Sequence, residues 1–344
     1  MIKNYPIKNS LLYKLSSKKE LAELLGCSTN FISKFIPDRK NYHISEKPKA
    51  SGGTRPIENP GRALKRMNRT LLQQLRTAEV PNYVKAGVPG RSTRDVAEMH
   101  RDNDYMVCMD IKSFYQRTSK KFIRSMFINT FEILPNLADF LARFITIPRD
   151  TTRPDRATHH LPTGAPISQL AAFCTYRKTF DDINNEANKL GIIFSLYVDD
   201  MTFSSKKPIP DAFISLIIKR LKSVGLSIKI DKTEYFYPSD TKTTVGLAIT
   251  PKHEIKVSDK NRRKVVVAMN GKRLTEISAE EIRSLRGRLI SAQQAEPNFM
   301  MTTKRRLDAE QKKKPVLTKK KRRSSLPKNK KPATKVRKLP VFEK

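Results

Sequence analysis

The sequence is short of three things: cysteine, long apolar runs and negative charge. Its three cysteines, Cys27, Cys108 and Cys174, are widely spaced and each sits among apolar residues. That pattern argues against a disulfide framework and a zinc cluster, and for three buried thiols in a reducing compartment. No apolar run approaches the roughly 20 residues a membrane span requires. The N-terminus has no apolar signal-peptide core, so the expected location is cytoplasmic, with no membrane partner. Acidic residues number 33 against 69 Lys and Arg, a formal charge of +36 over 344 residues. Such an excess goes beyond what solubility needs and points to a polyanion, nucleic acid first. The length allows two domains of ordinary size and a sizeable core.

The charge is uneven. Residues 301 to 344 carry 18 Lys and Arg against Asp308, Glu310 and Glu343, a net +15, which leaves +21 on the first 300 residues. From Lys312 onward, prolines 315, 327, 332 and 340 separate lysine blocks with too few apolar residues for a core. Residues 312–344 are therefore expected to be disordered when free and to act electrostatically. A nuclear-targeting patch is the other reading of Lys319-Lys320-Lys321-Arg322-Arg323.

Residues 1–40 read as a helical extension. Ser17 with Glu20 fits a capping box, Gly26 fits a helix stop, and Ser28 opens a second helix. This helix-turn-helix pattern is read as packing rather than as a duplex reader. Tyr42 to Ile57 reads as a cationic hairpin around a Lys- and Gly-rich turn, followed by a helix with Arg62, Lys65, Arg66 and Arg69 opposite its leucines. Ser92 and Asp95 open another helix, and Tyr105 to Ile111 is a buried strand that delivers Asp110 at its end. The pair His159-His160 lacks acidic or thiol companions at a metal-ligating spacing. Later come a Gly-Ala-Pro turn at 164–166 opening a long helix, a helix from Pro210 to Val224, and strands near Glu234–Tyr237 and Thr244–Thr250. Helices then run from about 258 to 269, 278 to 293 and 297 to 312. The elements sum to an α+β fold: an antiparallel sheet with helices on one face and a helical C-terminal lobe.

One stretch organises the rest. Phe194 to Ser204 alternates apolar residues around Tyr197-Val198-Asp199-Asp200, predicting two strands with both carboxylates at the tip of a tight turn. Adjacent anions repel and resist desolvation, which bound divalent cations would offset. A solvated turn is the other reading, because Asp favours turns.

In order and spacing, the strand ending in Asp110, the Gly-Ala-Pro turn and the Tyr-Val-Asp-Asp hairpin resemble the palm of a reverse transcriptase, most closely those of bacterial retrons. The resemblance runs from about Lys47 to Met300. It is carried by Gly53 to Ile57 with Leu64-Lys65, Val96 to His100, Asp110 to Tyr115, Leu161 to Ser168, Tyr197 to Ser204, Lys232-Thr233, Val245 to Leu247 and Ser284 to Gly287. There are departures. Val96 stands for Asn in Asn-Ala-x-x-His, Thr244-Val245-Gly246 for Val-Thr-Gly, Thr163 for Gln, Gln169 for Pro, and Val198 for Ala.

The resemblance implies a right-hand polymerase fold, with fingers and palm over 41–250 and a helical, RNA-binding thumb over 251–311. It implies two Mg²⁺ ions, with Asp110 and Asp199 bridging them, Asp200 assisting at the primer hydroxyl, and the Ile111 carbonyl as a further ligand. Lys49 and Arg55 would hold the triphosphate of a dNTP, and Thr163 and Gly164 would line the nucleotide site. Tyr115 would exclude a ribose 2′-hydroxyl, and Lys232 would protonate pyrophosphate. Lys260, Arg262, Arg263, Arg283, Arg286 and Arg288 would bind RNA. The family's partners are a structured noncoding RNA, primed at a guanosine 2′-hydroxyl, its branched DNA product and an accessory effector in phage defence. An abortive-infection or intron-derived reverse transcriptase, or a nonenzymatic RNA-binding protein built on the same palm, are the alternatives.

Overall fold

The structure, a computed structural model, describes residues 6–48, 52–149, 158–269 and 278–313. Lys49 and nearly all of the basic 312–344 stretch lie outside the described residues. Helices α1 (Lys18–Leu25) and α2 (Thr29–Lys34) open as expected on Ser17 and Ser28, whose hydroxyls accept from the backbones of Glu20 and Phe31. Gly26, left-handed at φ 63°, ends α1. Leu21, Leu25 and Ile32 are buried in the main core, so the two-helix pattern serves packing.

Strands β1 (Tyr42–Pro48) and β2 (Thr54–Pro60) form the antiparallel hairpin. Helix α3 (Arg62–Thr77) buries Leu64, Met67, Leu71, Leu72 and Leu75, and α4 (Thr93–His100) opens on the Ser92–Asp95 capping box. Next come β3 (Tyr105–Asp110), α5 (Phe114–Arg117), α6 (Lys120–Phe131), α7 (Pro135–Ile145) and the short pair β4 (Ile147–Pro148) and β5 (His159–His160). Helix α8 (Ser168–Lys189), non-helical at Tyr176, leads to the hairpin β6 (Ile193–Tyr197) and β7 (Asp200–Ser205). After α9 (Asp211–Ser223) follow β8 (Glu234–Phe236), β9 (Lys242–Thr244), β10 (Leu247–Ile249) and β11 (Ile255–Val257). Helices α10 (Asp259–Met269), α11 (Ala279–Gln293) and α12 (Met301–Lys313) close the described chain.

The central sheet has the order β6-β7-β3-β8 and is antiparallel throughout. Side chains alternate across it, so each face is covered differently. Phe194, Met201 and Phe203 are buried on the face of α8 and α9, where the Phe203 and Phe213 rings meet edge to face at 5.4 Å. On the other face Ser195, Thr202 and Ser204 meet α4 and the small sheet β11-β10-β9. The single strand expected over Thr244–Thr250 is thus two strands. Val245 (φ 43°) and Gly246 (φ 84°) are both left-handed, which reverses the chain so that Thr244 pairs with Leu247. Helices α10 to α12 enclose a small core of their own around Val265, Ile282, Leu285, Leu289 and Leu307. Among the described residues no helix is long and apolar enough to cross a membrane.

Candidate active site

Strand pairing brings the carboxylates together. Asp110, the last residue of β3, lies opposite Asp200, the first of β7, and Asp200 also pairs with Tyr197 of β6. The turn between β6 and β7 is therefore Val198-Asp199, and only Asp199 sits at its tip; Asp200 stands in the strand. Of the two turn residues only Val198 has positive φ, 62°, the type II′ pattern that glycine usually serves. A β-branched residue there is strained by about 1–3 kcal/mol, so surrounding contacts must enforce the turn. One such contact is the Ile111 N–H, which donates to the Asp199 carbonyl at 2.9 Å.

Lost hydration, followed by the neighbouring Asp199 and Asp110 charges, pushes the Asp200 carboxyl up to about 7. Asp199 is raised for the same reasons, with burial first and Asp110 second. Lys229 offsets part of this repulsion, since its Nζ donates to both Asp110 oxygens, at 2.6 and 2.7 Å. As the side chains stand, no three His, Cys, Asp or Glu groups among the described residues are gathered tightly enough to hold a metal ion. The donor chemistry nonetheless fits a hard divalent cation. Three carboxylates lie close together, two of them are destabilised by burial and then by neighbouring negative charge, and the third already attracts a cation.

The remaining expected residues divide. Tyr115 is mostly buried, and its hydroxyl is raised above the usual tyrosine range by burial and then by the Asp199 charge. Arg55 of β2 is close enough to stabilise the Asp199 carboxylate and to influence Tyr115. Thr163 turns toward β2: its hydroxyl donates to the Pro56 carbonyl at 2.7 Å and accepts from the Glu58 N–H at 3.1 Å. Gly164 is pressed against the same strand, where a Cβ would lie 2.6 Å from Asn59 Oδ1 and 2.8 Å from the Glu58 carbonyl. These two residues thus anchor the hairpin that carries Arg55. The anchor is completed by Glu58, 3 % exposed, whose carboxylate accepts from the Thr163 N–H and bonds His160. His160 is accordingly a buried strut.

Asp110, Asp200 and Lys232 line a cleft of about 1040 Å³ that reaches Lys260, Arg262 and Lys264 on α10. The six expected RNA-binding cations are not equivalent. Arg262 pairs with Glu296 and lies over the Phe299 ring, and Arg286 pairs with Asp308 and Gln311, so both are held by internal partners. Lys260, Arg263, Arg283 and Arg288 are exposed. Two residues near the carboxylates escaped sequence reasoning. Lys229 reaches Asp110 across 119 residues, with no local signal linking them. His100 was visible only as the end of the Val96–His100 segment, yet its ring reaches both strands of the acidic hairpin.

Residues 46–257 match the family model described as reverse transcriptase (RNA-dependent DNA polymerase). The chain is 24% identical over 216 residues to the retron Se72 reverse transcriptase of Salmonella heidelberg, covering 61% of this chain and 54% of that protein. It is 21% identical to the retron Ec83 reverse transcriptase of Escherichia coli, covering 76% and 85%, and 25% identical to the retron Mx162 reverse transcriptase of Myxococcus xanthus, covering 69% and 54%. The chain thus spans about half the length of the Se72 and Mx162 proteins. Among solved structures, apo telomerase from Candida tropicalis aligns with a TM-score of 0.53 at 13% identity, over 79% of this chain and 59% of that chain.

Proposed function

The chain belongs to the reverse transcriptase family, with a right-hand polymerase fold, and from that premise we propose that it is an RNA-directed DNA polymerase of the retron type. The observation that carries the reading is that Asp110 and Asp200 stand opposite each other on neighbouring strands and line a cleft that also takes in Lys232, Lys260 and Lys264, with Asp199 in the adjoining turn. Asp110, Asp199, Asp200 and the Ile111 carbonyl would hold two Mg²⁺ ions. When bound, such ions neutralise charge on the α-phosphate and pyrophosphate oxygens and make the attacking hydroxyl more acidic.

The protein's own groups do the rest. Arg55, joined by Lys49, holds the triphosphate, with the guanidinium offering a bidentate fork. The Glu58–Thr163–Gly164 anchor fixes where that fork points. Tyr115 closes the space beside the sugar and selects against a 2′-hydroxyl, and Lys232 on the cleft wall donates a proton to departing pyrophosphate. Residues 41–250 act as fingers and palm, and 251–311 as the thumb. Lys260, Arg263, Arg283 and Arg288 hold RNA phosphates, while Arg262 and Arg286 hold the thumb together. By resemblance to retron enzymes, the template is a structured noncoding RNA, primed from a guanosine 2′-hydroxyl, and the product is a short DNA branched from that RNA. The same resemblance implies a place in phage defence beside an effector protein.

The test is to purify the chain expressed with its native flanking locus, treat it with RNase, and resolve the copurified nucleic acid beside Asp199→Asn. A discrete short DNA with an RNase-resistant 2′-linked remnant, absent from the variant, is expected. Asp199→Asn should lower dNTP incorporation at least a thousandfold while RNA affinity stays within twofold. Incorporation near the wild-type rate would remove the metal-ligand assignment. Equal RNA binding with no DNA from either protein would favour a nonenzymatic RNA-binding protein.

A further inference from the structure

We infer that His100 is a positioning residue whose ring clamps both strands of the acidic hairpin and so sets the spacing of Asp199 and Asp200; the inference rests on reading those carboxylates as metal ligands. His100 ends α4 and is fully buried. Its Nε2 lies 2.7 Å from Ser195 Oγ on β6, and its Nδ1 lies 2.6 Å from Ser204 Oγ on β7. Asn103 Nδ2 donates to the same Ser204 hydroxyl at 2.7 Å. The two serines are 1% and 0% exposed and stand on the face away from α8 and α9. Each lies four residues from a carboxylate, Ser195 before Asp199 and Ser204 after Asp200.

The arrangement is more than space filling. Two hydroxyls and an imidazole buried between the sheet and α4 would each cost free energy if left unpaired, and here they satisfy one another. A neutral ring donates through one nitrogen and accepts through the other, which hydroxyls can match in either sense. Burial, with a smaller contribution from Lys85, keeps the ring in that neutral form. The hairpin needs such a constraint. Its turn is strained at Val198, and β6, the end strand of the sheet, is flanked on its far side by the short segment around Val84. A one-residue slip of β6 against β7 would turn Ser195 away from the ring and dissolve the Tyr197–Asp200 pairing that leaves Val198-Asp199 as the turn.

The test is direct Mn²⁺ binding to the full chain by calorimetry, together with RNA affinity and melting temperature, for His100→Phe and for the Ser195→Ala/Ser204→Ala double variant. Removing outer partners of metal-holding groups typically weakens binding 10- to 100-fold; about tenfold is expected for each variant, with RNA affinity unchanged. Combining all three substitutions should add little to either, because they remove the same hydrogen bonds. Mn²⁺ affinity that stays at the wild-type value in His100→Phe or in the serine variant, whatever happens to the melting temperature, overturns the clamp. Asp199→Asn serves as the reference. If it too binds Mn²⁺ normally, the ligand assignment has failed, a result distinct from failure of the clamp alone.

Discussion

His100 has a consequence for acid stability that can be separated from its place beside the hairpin. Burial holds its folded-state pKa at about 3, below the roughly 6.5 of an exposed imidazole. Between those values the unfolded chain binds the proton and the folded chain does not. Stability is therefore complete above pH 6.5 and falls as pH drops toward 3, by up to about 1.4 kcal/mol per unit. Urea midpoints at pH 7.5 and pH 5 should show a larger loss for the wild type than for His100→Phe, which has no proton to take up; equal losses would mean that the ring is not held neutral. At this scale the sequence was most legible where chemistry is unusual. Asp110, Asp199 and Asp200 stand out because paired anions among apolar residues need a reason. Lys229 did not, and Thr163 stood out only by resemblance and without its partners on β2, since a hydroxyl or an ammonium declares its partner only when the chain has folded.

Among the elements, α3 follows its sequence pattern closely, with leucines inward and Arg62, Arg66 and Arg69 exposed along one side. Spacings of three and four residues put these guanidiniums on one helical stripe. None of the three makes an ion pair among the described residues. Such a stripe suits a phosphate backbone. Replacing all three with Gln should make the slope of log affinity for RNA against log salt shallower by about 2 to 3, at roughly 0.7 to 0.9 for each phosphate no longer neutralised. The KM for dNTP on a short primer-template should stay the same, and an unaltered slope would show that the stripe is merely solvated. The β9–β10 hairpin went the other way: a run that reads as one strand is broken because Val245 accepts a left-handed conformation beside Gly246. β-branched residues rarely do so, which is why the pattern alone could not place the turn.

Over the whole molecule, the apolar residues of the N-terminal helices, the β1–β2 hairpin, α3, the central sheet and α5 to α9 form one large core. The α10–α12 lobe has five buried apolar residues of its own and meets the rest through Ala292 and Ala295 packed near Ala97 and Met106. Arg94 Nη1 adds a hydrogen bond to the Gln294 carbonyl at 2.6 Å. A smaller buried apolar core means a lower free energy of local opening. Amide hydrogens of α11 and α12 should therefore exchange faster than those of α8 and β6, and Leu289→Ala should widen the gap by about 2–5 kcal/mol of local stability. Uniform protection across both regions would show a single cooperative unit.

Local physics was enough, from sequence alone, to place most helices, the acidic hairpin and the basic character of the chain. Capping residues, 3.6- and 2-residue periodicities and unpaired charge all act over a few neighbours. Only the tertiary structure decided which cations stay exposed, that Asp200 sits in the strand while Asp199 takes the turn, and that a buried imidazole joins the two arms carrying them. Those outcomes depend on pairings between residues far apart in the chain, such as Arg262 with Glu296, His100 with Ser195 and Lys229 with Asp110. A side chain's partner at that separation is set by how whole elements pack, which no short window of sequence encodes.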